Sequence, residues 1–169
     1  MPHPSITAQT YPHKPAIVMG GSGEMVTYRE LDERSNQGAQ LFRSLGLRAG
    51  DHIAMMLENN RQFLEIVWAA QRSGLIFTHI GTHLKREETR YILNNCGAKL
   101  FIGSAQLADI AQQILEADTG IAHYYMVGGI RQGFDSWEEA TDAQPTTPIG
   151  DQRNGVPMLY SSGTTGQPK

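Results

Sequence analysis

The chain has 169 residues, 40% of them hydrophobic and 18% charged, which suits a folding globular domain and excludes a disordered one. Its 14 Lys+Arg against 17 Asp+Glu leave a formal net charge of −3. No basic run supplies the electrostatic footprint of a nucleic-acid or anionic-membrane binder. The single cysteine, Cys96, permits no internal disulfide, so a reducing compartment is expected. The opening Met1-Pro2-His3-Pro4-Ser5 lacks the basic-then-apolar pattern of a secretory signal, and no segment reaches the roughly 18–20 apolar residues that span a bilayer. A soluble, cytoplasmic protein with no nucleic-acid partner and no transmembrane segment is the expectation.

In chain order, Ala16-Ile17-Val18-Met19 and Met25-Val26-Thr27 flank a glycine-rich turn and read as a β-hairpin. Gly21-Ser22-Gly23 could open a dinucleotide fingerprint, but Val26 stands where its third glycine belongs. Thr27 and Glu30 form a capping box, opening a helix with Leu31, Gly38, Leu41, Phe42 and Leu45 on one stripe and Gly46 as its stop. A strand is predicted over 52–57. A helix follows, capped by Asn59 or Asn60, carrying Phe63, Leu64, Val67, Trp68 and Ala70 on its apolar side and ending at Gly74. Next come a strand over 75–80 and a helix with Glu87 and Glu88 in its first turn, where they suit the positive end of the dipole, ending at Gly97. The remaining elements are a strand over 99–102, a helix over 105–117 and a strand over 124–127.

Repeated β-α-β units with near-continuous apolar strands indicate an α/β fold, a parallel sheet flanked by helices with a short amino-terminal hairpin. Residues 141–157 are rich in turn formers and read as an ordered loop. Cys96 and Trp68 read as core residues. Glu138-Glu139 reads as a solvated helix start, because neighbouring helical side chains diverge by about 100°. His79 and His83, four apart at a strand end without a zincin glutamate, read as ordinary loop histidines.

Chemistry concentrates in residues 158–169. A short apolar strand over 158–160 runs into Ser161-Ser162-Gly163-Thr164-Thr165-Gly166-Gln167-Pro168-Lys169. Gly163 and Gly166 allow backbone amides to approach phosphate oxygens, since no β-carbon stands in the way. Four hydroxyls add rotatable donors and Lys169 adds a positive charge. The spacing is not that of a Walker A loop, which has four residues between its glycines. The same composition also describes a flexible linker.

Tyr160-Ser161-Ser162-Gly163-Thr164-Thr165-Gly166-Gln167-Pro168-Lys169 resembles the signature of adenylate-forming enzymes, the superfamily of acyl-CoA synthetases, peptide-synthetase adenylation domains and luciferases. Further likeness lies in Thr27-Tyr28-Arg29-Glu30-Leu31, Gly46-Leu47-Arg48-Ala49-Gly50-Asp51 and Trp68-Ala69-Ala70-Gln71-Arg72-Ser73-Gly74. Tyr91-Ile92-Leu93 ahead of Gly97-Ala98 continues it, and Ser73-Gly74-Leu75 with Thr82-His83-Leu84 is most similar to fatty or aromatic acid–CoA ligases. The resemblance implies an ATP-dependent, AMP-forming ligase that activates a carboxylic acid, fatty in the first instance, as an acyl-adenylate and transfers it to coenzyme A. It implies ATP, Mg2+ and coenzyme A as co-substrates and cofactor.

Carried over by motif, Ser161, Ser162, Gly163, Thr164, Thr165, Gly166 and Lys169 would cradle the pyrophosphate, with Thr164 and Thr165 as principal hydroxyl donors. Residues 1–169 would form part of an amino-terminal AMP-binding domain ending inside that loop. No complete catalytic set is expected in this chain, and the chain alone is expected to be inactive. Its expected partners are the acid and the carboxyl-terminal remainder of the same enzyme, which a nick after Lys169 could leave attached. Two other readings stay open: a non-catalytic module that binds a partner through an open sheet edge, and a simple nucleotide- or phosphate-binding domain.

Overall fold

The computed structural model describes residues 3–117 and 119–160. Its elements are α1 (Pro4–Thr10), β1 (Pro15–Val18), β2 (Met25–Thr27), α2 (Tyr28–Ser44), β3 (His52–Met56), α3 (Arg61–Arg72), β4 (Ile76–His79), α4 (Arg86–Cys96), β5 (Leu100–Ser104), α5 (Ala108–Leu115), β6 (His123–Val127), β7 (Asp135–Ser136), α6 (Trp137–Asp142) and β8 (Val156–Pro157). β1 and β2 pair antiparallel. The other described strands form one sheet in the order β7-β6-β5-β3-β4-β8, every neighbouring pair parallel.

Both faces of this sheet are covered, as the unbroken apolar strands require. Ile53, Met55 and Leu57 point into a core with Leu41 and Phe42 of α2, Ile66, Ala69 and Ala70 of α3, and Trp137 of α6. The alternate residues Ala54 and Met56 point the other way, onto Ile92, Leu93 and Cys96 of α4 and Ala111 and Ile114 of α5. The α/β architecture with its amino-terminal hairpin is therefore the one expected.

The helix signals also hold. Thr27 Oγ1 accepts from the Glu30 amide at 3.3 Å, and a Glu30 carboxylate oxygen accepts from the Thr27 amide at 2.7 Å. Asn60, not Asn59, caps α3, its side chain accepting from the Phe63 amide at 3.0 Å. Gly46 and Gly97 follow α2 and α4 at φ of 84° and 63°, the left-handed region that favours glycine. At Gly38 a β-carbon would stand 2.7 Å from the Ala69 β-carbon, so only glycine lets α2 lie this close to α3. The buried Arg72 guanidinium, paired with Asp32 at 2.6 Å, ties the same two helices.

Several expectations need correction. α1 has no counterpart in the sequence reading; Pro4 starts it and the His3 ring accepts from the Ser5 amide. The expected helix over 105–117 divides into a tight turn at Ala105–Leu107 and α5, because Ser104 Oγ accepts from the Gln106 amide and draws the first turn in. Trp68 is half-buried instead of core, meeting the His3 ring edge-on at 5.1 Å. The stripe of α3 that faces the sheet carries Ile66 and Ala69 with Phe63, Val67 and Ala70, and not Leu64. The last strand sits at Val156–Pro157 and not over 158–160, since Gly155 and Val156 already bond to the chain around β4. No helix among the described residues is long and apolar enough to cross a membrane.

Two substitutions check this packing and capping. Gly38→Val forces α2 off α3, and a loss of about 1–3 kcal/mol in urea unfolding is expected from such overpacking. Thr27→Ala removes the cap at a cost of about 1 kcal/mol at neutral pH. The Thr27 amide and hydroxyl hold the Glu30 carboxyl below its usual range. That stabilisation is present above the unfolded carboxylate's pKa and is lost as pH falls through the folded one. The gap between the two proteins should therefore narrow in acid by the share of the hydroxyl's bond to the carboxylate, and persist for the share of its bond from the Glu30 amide.

Candidate functional site

The chain passes from β3 to β4 on one side, then returns across the sheet to β5 on the other, so strand order reverses between β3 and β5. Open parallel sheets receive ligands outside the carboxyl ends of their strands near such a reversal. Glu58-Asn59-Asn60 follow β3 at that end. Asn60 Nδ2 donates to Glu58 Oε1 at 3.0 Å while its Oδ1 caps α3, so one side chain starts the helix and orients the carboxylate. Burial alone would raise the Glu58 pKa, but the nearby Ser104 hydroxyl, its own amide and the Asn60 donor prevail and hold it below the usual carboxylate range. The sequence reading did not single out Glu58. The available signal was a charged residue placed directly at the end of a buried apolar strand.

β8 lies beside β4 with its carboxyl end toward the same side of the sheet. Beyond it, the Met158 amide donates to the Phe77 carbonyl at 2.9 Å. Met158 and Tyr160 turn in against the core under α4, and the Tyr160 hydroxyl bonds Asn95 Oδ1 at 2.6 Å. Leu159 points outward, 77% exposed. The chain is thus fixed by backbone and side chain up to Tyr160. The sequence-derived candidates Ser161, Ser162, Gly163, Thr164, Thr165, Gly166 and Lys169 lie outside the described residues.

The other singled-out residues have defined surroundings. One ring nitrogen of His79 lies 3.4 Å from the Leu57 carbonyl, and its ring packs edge-on against Phe63 at 5.0 Å. His83 is exposed in the turn before α4. Cys96 is buried, its thiol donates to the Leu93 carbonyl, and burial pushes its pKa up, as a packing residue requires. Glu138 and Glu139 do start a helix: Ser136 Oγ accepts from the Glu139 amide at 3.2 Å, and Glu138 accepts from the Gly128 amide at 3.0 Å.

Two adjoining polar clefts, of about 200 and 330 Å³, lie between α2, α3 and α6 and share Arg34, Arg61 and Asp142. Their cations are already engaged. Arg61 pairs with Glu24 at 2.8 Å and with the buried Glu65 at 3.4 Å, and Arg34 pairs with Asp142. Burial pushes the Glu65 carboxyl up despite Arg61. Among the described residues, the cations that line these clefts are thus already paired with carboxylates.

The family described as AMP-binding enzyme matches residues 5–169. A crotonobetaine/carnitine–CoA ligase of Escherichia coli O1:K1 is 33% identical over 173 residues, covering 96% of this chain and 34% of the relative. A protein of the same name from Escherichia fergusonii is 32% identical with the same coverage. The chain spans about a third of the length of these curated relatives. Among solved structures, the anthranilate CoA ligase AuaEII in complex with anthranoyl-AMP superposes with a TM-score of 0.85 at 25% identity, over 98% of this chain and 33% of that one. A red-emitting luciferase from Phrixothrix hirtus superposes with a TM-score of 0.85 at 17% identity, over 98% of this chain and 34% of its own, which shows a shared fold.

The Tyr160 anchor can be tested separately from any activity. Tyr160→Phe keeps the ring in its apolar seat and deletes one partly exposed hydrogen bond, so denaturant unfolding should register a loss of about 1 kcal/mol or less. A loss as large as that of Tyr160→Ala would mean that the hydroxyl, and not the ring, holds this segment.

Proposed function

The chain belongs to the AMP-binding enzyme family, and we propose that it forms the amino-terminal part of an ATP-dependent, AMP-forming acid–CoA ligase. Such an enzyme joins a carboxylate to the α-phosphate of ATP, releasing pyrophosphate, and then transfers the acyl group to the thiol of coenzyme A. The observation that carries this reading is the family match over residues 5–169, whose last residues follow a strand with its carboxyl end on the ligand-receiving side of the sheet. The names of the relatives support a CoA ligase.

In this reading 158–169 is the pyrophosphate loop. Negative charge gathers on the departing pyrophosphate, so donors already in place lower the barrier without reorganising at the moment of reaction. The backbone at Gly163 and Gly166, the hydroxyls of Ser161, Ser162, Thr164 and Thr165, and the Lys169 ammonium are those donors. The segment holds no carboxylate side chain. It therefore does not fit as a magnesium site of its own, and a metal on the nucleotide would take its oxygens from the phosphates and from residues elsewhere.

The substrate of this reading is a carboxylic acid, fatty in the first instance, and Ser73-Gly74-Leu75 with Thr82-His83-Leu84 is similar to fatty or aromatic acid–CoA ligases alike. Among the described residues β8 ends the sheet, and Val156 and Leu159 stand exposed on it, 54% and 77%. Further strands from the rest of a ligase would cover that flank. The 169-residue chain alone is expected to be silent in adenylation.

The test is acid-dependent exchange of pyrophosphate into ATP by the chain continued to the length of its relatives. Exchange is expected with a fatty acid and not without it. Lys169→Ala and Thr164→Val should each slow it by about tenfold or more, as loss of a positioned donor does, with the folded state intact by circular dichroism. Exchange at the original rate in both variants would remove the loop from the mechanism.

A further inference from the structure

Four side chains of α2 spaced three apart hold the segment that brings the chain from α6 to β8. Arg34 pairs with Asp142, Gln37 Nε2 donates to the Gln144 carbonyl at 3.1 Å, and Gln40 Nε2 donates to the Thr147 carbonyl at 2.9 Å. Arg43 is the last of the series and the most committed. Its Nε donates to both carboxylate oxygens of Asp151 at 3.0 and 3.2 Å, one terminal nitrogen donates to the Leu47 carbonyl at 3.1 Å, and the other donates to the Ser73 carbonyl at 2.9 Å. Its side chain is only 13% exposed, and it holds the Asp151 carboxyl below its usual range.

Just past Asp151 the backbone makes the contacts that set the register. The Arg153 amide bonds the Arg72 carbonyl, Gly155 bonds the Gln71 carbonyl at 2.7 Å, and Val156 bonds the Leu75 carbonyl at 3.1 Å. Arg43 therefore grips both parties to the pairing, the incoming strand through Asp151 and the turn before β4 through Ser73. We infer that Arg43, clamped to Asp151 and to the Ser73 carbonyl, is a positioning residue that sets the register of β8 on β4 and so the point from which residues 161–169 depart. This rests on the ligase reading of that loop. A slip of one residue moves a strand by about 3.3 Å and turns its side chains to the opposite face. A displacement of about 1 Å at reacting groups already costs on the order of a hundredfold in rate.

The experiment has two arms. In the 169-residue chain, hydrogen exchange is measured at the Val156 and Met158 amides for Asp151→Asn and Arg43→Gln, with Asp109→Ala as a control that breaks the exposed Arg131 pair instead. Both clamp variants should speed exchange at these two amides about tenfold relative to the β5–β6 ladder, and the control should not. In the chain continued to the length of its relatives, Asp151→Asn should lower kcat for pyrophosphate exchange about tenfold, as a displacement under about 1 Å of the departing segment would, with the KM for the acid unchanged, and Asp151→Glu should restore part of it.

Unchanged exchange at Val156 and Met158, or a rise shared equally by β5 and β6, overturns the clamp. So does an unaltered kcat in Asp151→Asn. A complete absence of pyrophosphate exchange in the unsubstituted protein instead overturns the ligase reading, while the amide arm still reports whether Arg43 sets the register.

Discussion

The structure turns on the close approach of Gly155 to the strand-turn preceding β4. A β-carbon at this position would press into the carbonyl oxygens of Leu75 and Ala70, the latter at 2.8 Å, so no other residue lets the chain enter here. Once it does, the amides of Gly155, Val156 and Met158 find the carbonyls of Gln71, Leu75 and Phe77 in succession. A two-residue strand containing Pro157 could hardly hold a register by itself, because proline gives no donor to the ladder. The pairing is specified from outside, by a glycine that fits and by side chains of α2 that hold the approach.

This places an ordinary surface helix at the origin of the functional geometry. One face of α2 packs Leu41 and Phe42 into the core and meets α3 across Gly38. Its polar flank binds the 142–151 segment. The helix therefore serves both the body of the sheet and the last strand added to it, and strain at either would be felt at the other. At the carboxyl end of β3, Asn60 couples the start of α3 to the carboxylate of Glu58.

Much of the fold was legible in the residues because its signals are local. The Thr27–Glu30 box, the glycines after α2 and α4, and the unbroken apolar runs of β3 and β5 each act within a few residues. α1 escaped notice because seven residues carry no readable stripe, and its start depends on a histidine acting as cap. β7 and β8, two residues each, are strands only by virtue of their neighbours. The tethers from α2 join residues 107 and 108 positions apart, between arginines, glutamines and acids that look like solvated surface in sequence. Gly155 comes directly after Asn154 and so reads as a turn, whereas its role is backbone clearance. At the proposed site the residue types of 161–169 suggest phosphate, a composition that a linker also shares, and the structure describes the strand and anchor that precede them, up to Tyr160.

The central claim is that phosphate is received by residues 161–169. The most direct measurement is a titration of the 15N-labelled 169-residue chain with inorganic pyrophosphate, read out through amide chemical shifts. The account predicts that the largest shifts fall on Gly163, Thr164, Thr165 and Gly166, with smaller ones reaching Tyr160 and the end of β4. Shifts centred on Arg34 and Arg61 in the α2–α3–α6 clefts, with the 161–169 amides unmoved, would contradict it.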